Sequence, residues 1–463
     1  MQLINYFKKF GVNRAVFWGG VAKLWFAVAG LLTLLVIAAK FSPELQGYYF
    51  TFYSLMSLKV IVELGLTFVI VYFSSHEWAK LGLDAAGNII GEPTALSCLK
   101  SLARLAFIWF FLGAVFLALG LGIAGYVFFA QTDQTGVNWV WPWVALCLVT
   151  GANLSLLPAF SLLEGCNQVA QVYYYRFIEG VVYFIAQWII MWLGGGLWAI
   201  IGAGFLSLVW SLIFLTGRFY NYFKSLLVAE LTRSLDWRSE IWPMQWRIAI
   251  SWVSGYFLFS FFVPVLFYFK GAIAAGQMGM TWNMARALLM IASMWIVARA
   301  PEFGVAIARK EYQKLDRLFF RSSMMAVIVA AAGSILMLGF IWLLNYARHP
   351  FAARFLPLWP TLFFLLGTIL MIVSTAQATY LRAHKKEPFM FLSVASAVLM
   401  VILLWLAGSR WGALGIAISY FSIIALFKIP YGTLVWSRCR QNWHAADFQV
   451  EDFSEQIGLE EKI

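Results

Sequence analysis

Long, unbroken apolar runs constrain this chain more than any other feature. Stretches such as 108–130 and 394–407 contain no charged side chain. In hydrocarbon every backbone N–H and C=O must be paired internally, so only helices and closed β-barrels can cross it. A barrel strand is about 10 residues of alternating polarity, whereas these runs are continuous and suit helices of about 20 residues. Asp, Glu, Lys and Arg make up 12% of the 463 residues, against about 25% in a soluble domain. The chain therefore reads as an all-α integral membrane protein.

Hydropathy places twelve transmembrane helices at 17–39, 48–74, 104–130, 140–163, 169–193, 198–218, 247–269, 279–300, 321–345, 357–380, 389–407 and 412–436. Pro and Gly punctuate the turns, as at Ser42-Pro43 and Gly194-Gly195-Gly196. Lys and Arg concentrate in alternate loops, and the opposite side holds only Lys40, Lys270, Arg348, Arg354 and Arg410. That asymmetry puts both termini in the cytoplasm. It also accounts for the formal charge of +12 without invoking nucleic acid.

Two inner segments read as basic amphipathic helices on the inner leaflet: 303–319, and residues 3–10 with Lys8 and Lys9. The segment after Asn442 is acidic and polar and reads as a mobile tail. Cys98, Cys147, Cys166 and Cys439 show neither a CxxC pair nor zinc spacing, so no metal is expected.

A weak repeat runs through the chain. Trp198–Gly202 echoes Trp411–Gly415, and 163–168 echoes 381–386, each pair six helices apart. Parallel halves follow from an even number of helices per repeat. The expected domains are a six-helix bundle at 1–235, a second at 236–441, and an acidic cytoplasmic tail at 442–463.

Six ionisable residues stand well inside these helices: Lys23, Lys59, Glu63, Arg176, Glu179 and Arg286. Each costs about 2.5–3.5 kcal/mol at a helix centre, so they should face water or pair. Lys59 and Glu63 are spaced i,i+4, and Arg176 and Glu179 i,i+3, as helical ion pairs require. Lys23 and Arg286 have no local anion, which leaves a cationic interior suited to a phosphate-bearing ligand. Snorkelling of Lys23 to the cytoplasmic face is the competing reading.

The turn Phe41-Ser-Pro-Glu-Leu-Gln-Gly-Tyr-Tyr49 resembles the Ser-Pro-Glu-x-x-Gly-x-Tyr turn after helix 1 of polysaccharide-type, Wzx-like flippases of the MOP exporter superfamily. Leu163-Glu-Gly-Cys-Asn167, Ala300-Pro-Glu-Phe303, Arg309-Lys-Glu-Tyr312 and Tyr380-Leu-Arg-Ala-His-Lys385 resemble their inner loops in the same order. The resemblance implies a MOP/MATE-like arrangement of two six-helix bundles working by alternating access. It implies movement of an undecaprenyl-pyrophosphate-linked oligosaccharide, for O-antigen or a related glycan, from the cytoplasmic to the periplasmic leaflet of a bacterial inner membrane.

On that reading Lys23, Lys59, Arg176 and Arg286 bind the pyrophosphate, and Glu63 and Glu179 are the candidates for coupling to protons or sodium. No cofactor is expected. Partners would be the lipid-linked oligosaccharide, membrane lipids and other glycan-assembly proteins. The alternatives are a multidrug or cation antiporter of the same superfamily and a membrane glycosyltransferase or polymerase. The outer loops, with only Glu44 and Asp133 as carboxylates, offer an enzyme little acid–base chemistry.

Overall fold

The computed structural model describes residues 14–132, 136–231, 234–384, 386 and 388–460, with side chains for all of these except Met244 and 445–460. The amphipathic stretch 3–10, Asp133, Arg233, Lys385 and Lys462 lie outside the described residues. Helices dominate: α1 (Arg14–Lys40), α2 (Pro43–Met56), α3 (Leu66–Trp78), α4 (Pro93–Thr132), α5 (Val140–Gly165), α6 (Val169–Trp192), α7 (Trp198–Val228), α8 (Trp242–Phe259), α9 (Phe262–Val297), α10 (Ala300–Ala308), α11 (Tyr312–Tyr346), α12 (Leu358–Ala383), α13 (Met390–Ser422) and α14 (Ile429–Glu460). Among the described residues, eight helices are long and apolar enough to cross a membrane, or nine if α2 and α3 form one bent span. Two of those eight contain kinks, at Gly271 in α9 (φ 81°) and Gly412 in α13 (φ 57°). Gly271 lies where the sequence predicts a turn between helices, and Gly412 is the first residue of the predicted helix 412–436. Glycine tolerates this left-handed backbone, so the chain bends there without a longer loop.

Packing divides the chain into two compact units. Unit 1 is Met1–Tyr256 with Gly271–Gly276, and unit 2 is Phe257–Lys270 with Gln277–Ile463.

In unit 1, α4 packs on α5, α1 on α6, and α7 on both α5 and α6. Trp143 is fully buried against Phe52 and Phe129, with ring centroids 5.0 and 5.3 Å away. The Ser-Pro-Glu turn has a direct physical role. The Ser42 hydroxyl accepts from Leu45 N–H (3.2 Å), Pro43 occupies the first turn, and Glu44 sits where the helix dipole favours an anion. Gln46 then donates to the Gly276 carbonyl (2.8 Å), and a Cβ on Gly47 would overlap the Ala272 carbonyl. That clasp attaches 271–276 to unit 1. At the ends of α1 and α6, the Lys40 ammonium lies 3.7 Å from the Trp192 ring centroid.

The 75–103 segment is more ordered than a loop. Leu81–Leu83 (β1) pairs antiparallel with Ile89–Gly91 (β2) around an Asp84–Asn88 turn. The turn rests on α7, where Asn221 donates to the Ala86 carbonyl (2.7 Å).

In unit 2, α12 packs against α11, α13 and α14. Trp282 meets Phe262, Phe364 and Tyr420 at 4.9, 5.5 and 5.3 Å, the counterpart of the Trp143 cluster.

Three sequence expectations change. Segment 303–319 is not one surface helix: it breaks at Arg309–Glu311, where Lys310 takes φ 56°. Its apolar residues Phe303, Leu315 and Phe319 are buried in the core of unit 2, not turned to lipid. The predicted helix over 48–74 is broken at Leu64 (φ 41°) and Gly65 (φ 69°), with a bend of 41°. Finally, the backbone stays helical through Glu460, where the sequence suggests a mobile tail.

Candidate functional site

The embedded charges of unit 1 gather around the break in its second span. After α2 the chain forms a 3-10 turn at Ser57–Lys59, one helical turn at Val60–Glu63, and then the left-handed pair Leu64–Gly65. A non-glycine residue in that region costs on the order of 1–3 kcal/mol, and Leu64 stands directly after Glu63. Trp109 donates its indole N–H to the Val62 carbonyl (2.8 Å) and stacks on Trp237. The break is therefore buttressed from α4.

Lys59 is exposed and Glu63 half-buried. Lys59 acts electrostatically on both Glu63 and Glu179, which brings the break close to α6. Glu179 accepts a hydrogen bond from Ser207 of α7 (2.5 Å), while the Tyr175 and Ser211 hydroxyls bond one turn away (2.5 Å).

Arg176 does not form the expected i,i+3 pair with Glu179. It bridges to Glu164 at the end of α5, a residue that the sequence reading leaves in a loop. Arg176 is 48% exposed and Glu164 16%. The guanidinium is held toward the α5 end by the longer reach of its side chain, and Glu179 is satisfied from α7. By count, the embedded charges of unit 1 balance once Glu164 is included: Lys23, Lys59 and Arg176 against Glu63, Glu164 and Glu179.

Lys23, on α1, is exposed, and so is Arg286, on α9 in unit 2. Among the described residues neither makes an ion pair or hydrogen bond. A seventh embedded group escaped the sequence reading. Lys428, at the end of a π-helical stretch Ile423–Lys428, is only 6% exposed and is the one buried Lys, Arg, Asp or Glu among the described residues. The surplus of positive charge expected for the whole interior thus falls on unit 2, with Arg286 and Lys428. Its signal was present in the sequence: a lysine in an apolar run two residues before Pro430.

About three turns into α14, Arg440 binds Asp316 through two nitrogens. Tyr380 donates or accepts with His444 Nε2 (2.9 Å). Burial holds the His384 and His444 imidazoles below their ordinary value, and a hydrogen bond from His384 Nδ1 to the Tyr380 carbonyl partly offsets this at His384. No group of three His, Cys, Asp or Glu is placed to hold a metal ion among the described residues.

No protein-family model and no curated protein sequence matches the chain. Solved structures do match. An inward-facing multidrug resistance MATE family transporter of the MOP superfamily aligns with TM-score 0.59 at 14% identity, over 91% of this chain and 96% of its own. The MATE multidrug transporter DinF-BH gives 0.57 at 14%, over 92% and 94%. The VcmN MATE transporter of Vibrio cholerae gives 0.55 at 12%, over 93% and 97%. The fold is that of MATE transporters of the MOP superfamily. With it goes a multi-pass helical architecture, in keeping with the eight apolar helices.

Proposed function

We propose that this chain is a transporter rather than an enzyme. In this reading it flips an undecaprenyl-pyrophosphate-linked oligosaccharide across a bacterial inner membrane by alternating access. Among the described residues eight helices, or nine with the bent α2–α3 pair, are long and apolar enough to cross a membrane, as a multi-pass carrier requires.

One observation carries the substrate class. Lys23 and Arg286 are exposed on membrane-length helices, and Lys59 is exposed in the 3-10 turn before the break of the second span, all without a salt bridge among the described residues. Cations kept unpaired at such positions suit an anionic ligand, with Arg offering a fork and Lys a point charge. Lys59 would pass from Glu63 and Glu179 to the pyrophosphate, while Arg176, already engaged by Glu164, contributes only if that pair opens.

A multidrug antiporter is the second reading. The solved neighbours favour it, as do the two carboxylates beside the break. Proteoliposomes separate the two: the full chain should translocate fluorescent undecaprenyl pyrophosphate and leave a lipophilic cation dye in place. Lys23→Ala and Arg286→Ala should each slow the lipid probe at least about tenfold, the loss of one charge-assisted contact of about 1.5–3 kcal/mol. Transport of the dye, with the lipid probe immobile, would overturn the flippase reading.

A further inference from the structure

Lys428 is the least explained group in the molecule. Its side chain is 6% exposed. It makes no hydrogen bond, ion pair or ring contact among the described residues, and burial is the sole influence on its ε-amine. The elements around it are α12, α13 and the rest of α14. Among the described side chains, those that titrate or carry charge are Tyr380 and Arg382, then Arg410 and Tyr420, then Tyr431, Arg438, Cys439, Arg440 and His444, and none of them acts on Lys428. A permanent ammonium so placed would lack a counter-charge, whereas an amine that takes and releases a proton does not need one at all times.

The backbone at this position is also unusual. Ile423–Lys428 is π-helical, Ile429 N–H bonds back to the Ile424 carbonyl, and Pro430 then supplies no N–H. Such bulges concentrate at functional sites. They loosen the ladder, so the lysine sits where the helix can rearrange most readily.

A polar seam leads away from it along α12 and α14. One turn past Lys428, Gln377 donates to the Thr433 hydroxyl (2.8 Å), and its own carbonyl oxygen is buried without a partner. Further along, Tyr380 bonds His444 (2.9 Å). His384 stacks beside them, 5.1 Å from Tyr380 and 6.2 Å from His444 between ring centroids, with its Nε2 buried and unpartnered. Asp316 and Arg440 close the series, and Lys386 lies 4.8 Å from the Trp443 ring centroid. This is the end of the unit that the Lys and Arg pattern assigns to the cytoplasm.

We propose that Lys428 is a proton-carrying site of unit 2, reached from the cytoplasmic side along the seam of Gln377, Thr433, Tyr380 and His444. The step needs no co-reactant: the amine nitrogen takes a proton to become an ammonium and later returns it. The proposal rests on the transport reading only for the use made of that proton, and it assigns coupling to Lys428 rather than to Glu63 or Glu179.

Two measurements decide it. In the full chain in lipid nanodiscs, with lysine ε-nitrogens labelled with 15N, one resonance missing from Lys428→Arg should move from its ammonium to its amine position between about pH 6 and 9. A Lys428 resonance that stays put over that range overturns the proposal, whatever the substrate. In proteoliposomes with fluorescent undecaprenyl pyrophosphate, one pH unit of gradient is worth about tenfold per proton. Lys428→Met and Lys428→Arg should lose that stimulation, since methionine binds no proton and arginine does not give its own up. Full stimulation in both variants also overturns it. A wild-type chain that moves no probe would instead count against the substrate reading, and the resonance would still decide Lys428.

Discussion

Unit 1 and unit 2 share an aromatic plan and differ in how they treat charge. Trp143 and Trp282 each anchor a ring cluster with neighbours about 5 Å away, at 5.0 Å for Phe52 and 4.9 Å for Phe262. In unit 1, embedded cations meet embedded carboxylates: Arg176 holds Glu164, and Lys59 acts on Glu63 and Glu179. In unit 2, Arg286 and Lys428 have no carboxylate partner among the described residues, and the ion pairs of the unit, Arg299–Glu302, Lys314–Glu311 and Arg440–Asp316, lie elsewhere. The difference separates two uses of charge in an apolar protein. Paired groups join helices at little net gain. Unpaired groups remain costly until a ligand or a proton equilibrium compensates them.

The shared aromatic plan predicts the largest effects. Trp143→Ala and Trp282→Ala should each lower stability by about 3–5 kcal/mol, the range for emptying an aromatic core site. Limited proteolysis on the detergent-solubilised chain reads which unit opens first. If Trp143→Ala exposes cleavage sites in unit 2 before unit 1, the division into two packing units is wrong.

The clasp of 271–276 onto unit 1 comes next. Gly47→Val places a Cβ into the Ala272 carbonyl, and overpacking of this kind costs about 1–3 kcal/mol. A thermal midpoint equal to that of the wild type would show that Gly276 and Gln46 do not hold this segment.

The two ion pairs should then differ. Arg440→Ala removes a two-nitrogen contact at 32% exposure and should cost about 1.5–3 kcal/mol. Arg176→Ala removes a pair whose cation is 48% exposed and should cost about 0–1 kcal/mol. Equal losses in denaturation experiments would erase the contrast.

The smallest effect is in pH. His384 and His444 are held below their ordinary value by burial in the folded chain, so the unfolded chain binds protons first. Their contribution to stability is complete above about pH 6.5 and falls away as the pH drops through the lowered folded values. His384→Gln and His444→Gln should each flatten that decline in the thermal midpoint, and an unchanged slope in both would remove the effect.

Much of this was legible in the linear order of residues. Apolar runs dictate helices because lipid offers the backbone no partner, and a helix closes its hydrogen bonds within its own sequence. The Ser42-Pro43-Glu44 start is likewise local, since cap, ring and dipole act within one turn. Sequence alone also placed turns at 270–278 and 408–411; the kink at Gly271 falls on the first, and the kink at Gly412 follows the second by one residue. The resemblance of short inner-loop motifs pointed to the superfamily whose fold the structure shares.

Tertiary structure decided what depends on neighbours far along the chain. Arg176 bridges to Glu164 at the end of α5 and not to Glu179 one turn along its own helix, which accepts from Ser207 of α7. The second span breaks at Leu64–Gly65 where Trp109 takes the freed Val62 carbonyl. Segment 303–319 looked like a surface helix because its apolar spacing suits a lipid boundary and a protein core equally, and only the packing of α10 and α11 turned it inward. Lys428 reads in the sequence as one basic residue among many. Its burial, and the absence of any anion beside it, exist only once α12 and α13 close around α14, since a charge is paired or solitary according to what the fold brings near it.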